Sequence, residues 1–168
     1  MNQSECQKHL LLVKQFKSGK YEAPQISWHR GFDQITFSNQ PDNLSKKLSN
    51  EPLALIEDVD IVTLINNMTE ANAEMFGRRR LYSPSFDDDK ISRVWSHWIN
   101  RNPLIPPTIL IFDRLYIDKV CPSAWTSNEL QPVDGKHRLN AAYFFGAKTI
   151  PIIVLERQRE LILNMLGM

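Results

Sequence analysis

The residues best placed to do chemistry are Asp134-Gly135-Lys136-His137-Arg138, a glycine followed at once by three cationic or protonatable side chains. Pro132 and Val133 before them, and Leu139, Asn140, Ala141 and Ala142 after them, read as a turn that opens a short helix. The first turn of a helix has N–H groups without an intrahelical acceptor and carries the positive end of the macrodipole, so it attracts anions, phosphate first among them. Gly135 permits a close backbone approach, and Lys136, His137 and Arg138 can neutralise and hydrogen-bond phosphate oxygens. Cations at this end oppose the dipole, an unfavourable placement unless an anion compensates. The competing reading is a solvated helix start with incidental basic residues. Asp134 is read as an N-cap, or else as a residue that orients Lys136 or a metal-bound water. Asn140, one turn further on, contacts phosphate or sugar, or else lies at the surface.

Carboxylates and arginines elsewhere can complete such a site. Glu57, Asp58 and Asp60 can hold Mg²⁺ or supply a general base, since nucleotide chemistry usually needs a carboxylate near the phosphates. Solvent-facing acids at a strand end are the alternative. Arg78-Arg79-Arg80 can clamp a triphosphate or follow a nucleic-acid backbone, and a merely solvated basic loop is the competing reading. Asp87, Asp88 and Asp89 have the chemistry of metal ligands, but a helix start explains them more cheaply through capping and dipole stabilisation. His9, His29 and His97 lack zinc-ligand spacing, and no metal ligand is assigned.

Composition bounds the rest. A chain of 168 residues is long enough for one domain with a real core. With a net charge of +1, nucleic-acid binding must come from local basic patches. Cys6 and Cys121 form no disulfide framework or metal motif and read as reduced thiols. The short run Leu10-Leu11-Leu12-Val13 is bounded by lysines and lacks a signal-peptide cleavage site. No membrane span is expected, which points to the cytoplasm, in a bacterium and on a plasmid or phage replicon.

The elements that must position these residues follow from periodicity. Ser4 and Gln7 make a capping box for a helix over residues 5–17. Gln25–His29 and Phe32–Phe37 alternate around Arg30-Gly31 as a hairpin. Residues 39–52 form a polar connector, and Leu53–Ile65 is a strand candidate, broken in the middle. A helix is predicted over 87–100, with Ile91, Val94, Trp95 and Trp98 on its buried face. Those tryptophans are core residues, and Trp125, in a loop over 118–128, is the better candidate for base stacking. Strands are predicted at Thr108–Phe112, Leu115–Ile117, Leu130–Val133 and Ile150–Val154. A last helix over 156–166 turns Leu161, Ile162 and Met165 inward. The expected architecture is α+β: one compact domain over 51–168, with residues 1–50 as an N-terminal helix and hairpin packed on it.

The run from Phe86 to Val154 resembles the N-terminal domain of the ParB/sulfiredoxin superfamily. The resemblance rests on Phe86-Asp87-Asp88-Asp89-Lys90, the proline-led strand Pro106–Phe112, the box Gly135-Lys136-His137-Arg138, the pair Ala141-Ala142, then Gly146 and Ile150-Pro151. It covers about 70 residues of the chain. It implies nucleotide binding at the box, with ATP or CTP as ligand and Mg²⁺ as its companion. It also implies that Arg78–Arg80 lie near the nucleotide and that Glu57 or Asp58 takes the acidic role seen in kinase-like relatives. Sulfiredoxins carry a catalytic cysteine where this chain has Lys136, so sulfinic-acid reduction is not expected. Partition proteins carry further DNA-reading domains for which this length leaves no room. The reactions that remain are nucleoside-triphosphate hydrolysis and Mg²⁺-dependent DNA cleavage. Lys136 and His137, with Glu57 and Asp58, would be the catalytic residues. A non-enzymatic effector that binds DNA or a protein of a plasmid-transfer system is the alternative, as is a small-molecule kinase. On this reading Arg138→Ala abolishes nucleotide binding and leaves the melting temperature nearly unchanged.

Overall fold

Burial along Leu53–Asp60 (β1) alternates as a half-covered strand should, with Ala54 and Ile56 inward, until the alternation slips by one. Val59 rather than Asp58 takes the next inward place, and the register with the neighbouring strand shifts between Ile56 and Val59. Asp58 absorbs the slip at a φ of 55°, a left-handed conformation that aspartate tolerates better than most residues. The chain is described here from a computed structural model covering residues 18–19, 22–31, 50–68, 88–111 and 129–168. The expected helix over 5–17, the second hairpin run Phe32–Phe37, the strand Leu115–Ile117 and the loop 118–128 with Cys121 and Trp125 lie outside the described residues. So do Arg78, Arg79 and Arg80.

The apolar run expected to be a broken strand is a strand and then a helix. Asp60 ends β1 and caps Ile61–Asn66 (α1), its carboxylate accepting from the Thr63 N–H at 2.7 Å. The next described helix, Asp88–Ile99 (α2), leads through Pro103, Pro106 and Pro107 into Thr108–Ile111 (β2). Leu130–Asp134 (β3) pairs with β2 antiparallel and runs straight into Lys136–Phe144 (α3). Gly146, at a φ of 82°, follows the end of α3 and releases the chain into Thr149–Leu155 (β4). A 3₁₀ turn, Glu156–Gln158, precedes the last helix, Arg159–Leu166 (α4).

The strands make one mixed sheet in the order β1-β4-β2-β3, with β4 antiparallel to β1 and parallel to β2. The fold is therefore α+β, as expected. From Ile150 onward β4 is buried at every position, as an unbroken apolar run in an interior strand should be. Pro151, which cannot donate to a ladder, falls opposite the β1 bulge, where the register skips it. Where β4 bends away, the buried Gln158 side chain takes over its pairing with β2. It donates to the Ile111 carbonyl at 2.6 Å and accepts from the Ile111 N–H at 3.1 Å.

The core gathers Ile56, Val59, Ile109, Ile152 and Val154 of the sheet with Leu139, Ala142 and Ile162 of the helices. Trp95 and Trp98 are buried, as their helical spacing predicts, and both meet Phe145 edge-to-face, at centroid distances of 4.7 and 6.1 Å. That aromatic contact fixes α2 against α3. On α4 Ile162 is buried and Met165 packs on the core, as expected, whereas Leu161 is 52% exposed and Leu166 is buried in addition. Gln25–His29 does not pair as a hairpin among the described residues. Trp28 bridges to Leu104, with His29 N–H on the Leu104 carbonyl and Leu104 N–H on the Ser27 carbonyl. No described helix is long and apolar enough to cross a membrane.

Candidate functional site

Gly135 is the N-cap of α3 at a φ of 81°, and no side chain caps the helix. A β-carbon there would come within 2.7 Å of the Pro107 Cα and 2.9 Å of the Arg138 guanidinium, so conformation and space both demand glycine. The Gly135 carbonyl accepts the first helical bond, from Leu139 at 2.9 Å. Helix geometry then leaves the N–H groups of residues 136–138 without acceptors inside α3. The first turn holds no acidic residue.

The side chains of the box go different ways. Arg138 turns back one turn onto Asp134, with Nη2 on Oδ2 at 2.6 Å; the two side chains are 20% and 24% exposed. Gly135 rather than Asp134 is therefore the N-cap, and the Asp134 carboxylate orients Arg138 rather than Lys136. Arg138→Ala would break a largely buried pair, so it should also lower stability, unlike the expectation from sequence. Arg138 Nε is buried and has no acceptor among the described residues. Lys136 is half-buried, and burial pushes its ammonium below the ordinary lysine value. Asn140 is buried on the inner side of α3 rather than at the surface.

A depression of about 280 Å³ opens beside the box, between α2 and the start of α3. Gly135, His137, Arg138 and Asp134 line one side of it, and Arg93 and His97 of α2 line the other, with Val94 and Leu104 beneath. Arg93 and His97 escape a reading of the sequence that looks for zinc spacing among histidines. Their signal was their i, i+4 spacing, which sets both on one helical face beside Val94. Lys136 and Asn140 do not line this depression.

Glu57 and Asp58 are not brought to the box. They line a second depression, of about 530 Å³, with Trp28 and Arg30 of the N-terminal segment and the α3–β4 turn. Glu57 is engaged there by Arg30 at 3.1 Å. Their distance from the box follows from the topology: β1 and β3 are the first and last strands of the order, three spacings or about 14 Å apart. Along α3 the box stands at the start and this second depression at the end. Asp60 is engaged as the α1 cap, and its hydrogen bond with Thr63 holds its carboxyl below the ordinary value. α2 begins at Asp88, consistent with the acids there marking a helix start.

Among the described residues no three metal-ligating side chains come together. The only carboxylate among the described residues that lines the depression at the box, Asp134, is held by Arg138. Mg²⁺ would therefore enter with phosphate oxygens and water as its main ligands. Uncapped amides, a helix dipole and guanidinium and imidazole groups around a small cleft are chemistry that can receive an anion. Comparison of the chain with protein-family models, curated proteins and solved structures gives no match.

Proposed function

We propose that this protein binds the phosphates of a nucleoside triphosphate, ATP or CTP, at the start of α3, in the manner of the ParB/sulfiredoxin-like proteins its sequence resembles. The observation that carries this reading is the uncapped N-terminus of α3 at left-handed Gly135, opening into a cleft with Arg138 and His137 at its rim. The first-turn amides donate to phosphate oxygens, Arg138 is aimed by Asp134, and Lys136 supplies charge from beside the cleft. Mg²⁺, carried in by the phosphates, would screen their charge during hydrolysis or DNA cleavage.

A specific observation favours the second reading, a non-enzymatic effector that binds nucleotide and acts through DNA or a protein partner. Glu57 and Asp58, the candidate general bases, stand at the far end of α3 from the box. The small net charge also weighs against strong non-specific DNA binding.

Calorimetric titration of ATP and CTP, with and without Mg²⁺, tests the binding claim, with released phosphate followed in parallel. Wild-type protein should bind, and Arg138→Ala, confirmed folded at the working temperature, should bind at least ten-fold more weakly, about 1.4 kcal/mol. Equal affinity in the variant would remove the box from the site. Sustained Mg²⁺-dependent phosphate release would select the enzyme over the effector.

A further inference from the structure

We propose that the larger depression, at the end of α3, binds a small organic cation, an amine or quaternary ammonium on an apolar body, recognised by the Asp58 carboxylate and the Trp28 ring. This site is independent of the phosphate reading of the box. At about 530 Å³ the depression falls within the range of roughly 300–1,000 Å³ usual for small-molecule sites. Ile26, Trp28, Phe145 and Ala147 give it apolar and aromatic walls. Its charged lining, among the described residues, is Arg30, Glu57 and Asp58. Arg30 and Glu57 satisfy each other at 3.1 Å, whereas Asp58 makes no ion pair or hydrogen bond among the described residues.

The β1 bulge brings that carboxylate here. In a regular strand neighbouring side chains point to opposite faces, so Glu57 and Asp58 would not share a cavity, and Asp58 would take the inward place after Ala54 and Ile56. The left-handed backbone at Asp58, with a φ of 55°, passes that place to Val59 and sets both acids on the same depression. Aspartate is tolerated in this conformation because its short side chain can hydrogen-bond locally. The Asp58 carboxylate makes no such bond, and its charge is left for a ligand. The wall across from it is held ready: the Trp28 ring meets Trp98 edge-to-face at 5.6 Å, and the backbone on either side of Trp28 is bonded to Leu104. An ammonium group gains from an aromatic ring and from a carboxylate together. A bare divalent ion is poorly served, because it takes about six oxygen ligands and Arg30 already engages Glu57. An anion would meet the unpaired charge of Asp58.

The test titrates the full chain at neutral pH with benzylamine, benzyl alcohol and benzoate, probes of similar shape and different charge. Binding is read by heteronuclear NMR on the Trp28 indole resonance, assigned with Trp28→Phe. In wild type, benzylamine should shift that resonance saturably and bind about five-fold more tightly than benzyl alcohol, with benzoate weakest. Asp58→Asn removes the charge and keeps a residue that tolerates the left-handed backbone, so it should stay folded by circular dichroism. It should weaken benzylamine by about five-fold and leave benzyl alcohol unchanged. The charge series on wild type needs no variant: equal affinity for the amine and the alcohol, or tighter binding of benzoate, would overturn the proposal. So would benzylamine affinity unchanged in Asp58→Asn, or the absence of a saturable shift with any of the probes. None of these outcomes bears on ATP or CTP binding at the box, which is measured separately.

Discussion

Replacing Lys136 with methionine should make the protein without ligand more stable, while weakening its grip on phosphate. Lys136 is a half-buried cation in the first turn of α3, at the positive end of the dipole, and among the described residues no ion pair or hydrogen bond neutralises it. A misplaced charge at a helix terminus costs about 0.3–1 kcal/mol. Desolvation adds to this in the same direction, since burial already lowers the affinity of the amine for its proton. Methionine keeps the aliphatic stem and drops the charge. A gain of about 1 kcal/mol corresponds to roughly 2–4 °C in melting temperature for a domain of this size. The assay is thermal denaturation followed by circular dichroism in a buffer free of phosphate and sulfate, repeated with tripolyphosphate. Without anion the variant should melt higher; with saturating anion the wild type should gain more. The pH dependence has a definite sign. Because the folded-state pKa lies below the unfolded value of about 10.4, the unfolded chain holds more protons between the two. The wild type should therefore become more stable as pH rises through the folded value, and Lys136→Met should lack that rise. A lower melting temperature for Lys136→Met in anion-free buffer would refute the argument, because it would show the lysine to be satisfied without ligand.

The remaining expectations concern the frame that holds the site. Gly135→Ala combines a left-handed backbone with a β-carbon pressed on Pro107 and should cost about 2–4 kcal/mol in urea denaturation. A variant within 0.5 kcal/mol (roughly the range of ordinary surface changes) would show that α3 can restart elsewhere. Gln158→Leu removes both hydrogen bonds to Ile111 and strands a buried N–H and carbonyl, for a loss of about 2–4 kcal/mol by the same method. Asp60→Ala should flatten the acid limb of the stability curve. The folded pKa of Asp60 is depressed, so its contribution is complete above the unfolded value of about 3.9 and fades as pH falls through the folded one. A variant that loses stability on acidification as steeply as wild type would discount the cap.

What the sequence reveals here is what depends on near neighbours. The helix at 88–99, the strand at 108–111 and the strand–turn–helix around Gly135 are local patterns: an i, i+4 apolar face, a proline-led apolar run, and a glycine before a basic first turn. α1 hides in the apolar run after β1, because six residues are too few to display a helical period against continuous isoleucine, valine and leucine. Its one local signal is Asp60 three residues before Thr63. The role of Gln158 has no local signal, since its partner Ile111 is 47 residues away.

The candidate site divides along the same line. Gly135–Arg138 is legible because one turn contains it. Arg93 and His97 reach it only through the packing of α2 on α3, set by Trp95, Trp98 and Phe145. The converse holds for Glu57 and Asp58, acids of suitable type that the sheet order carries to the wrong end of α3. Residue type alone would have built a phosphate site with carboxylates at its centre. Topology instead lines the cleft with arginine and histidine on both sides, and among the described residues its single carboxylate is paired with Arg138. The cleft thus offers an anion guanidinium and imidazole groups, while the carboxylates Glu57 and Asp58 stand elsewhere. The order of strands, more than the box itself, therefore decides which carboxylates can reach the cleft.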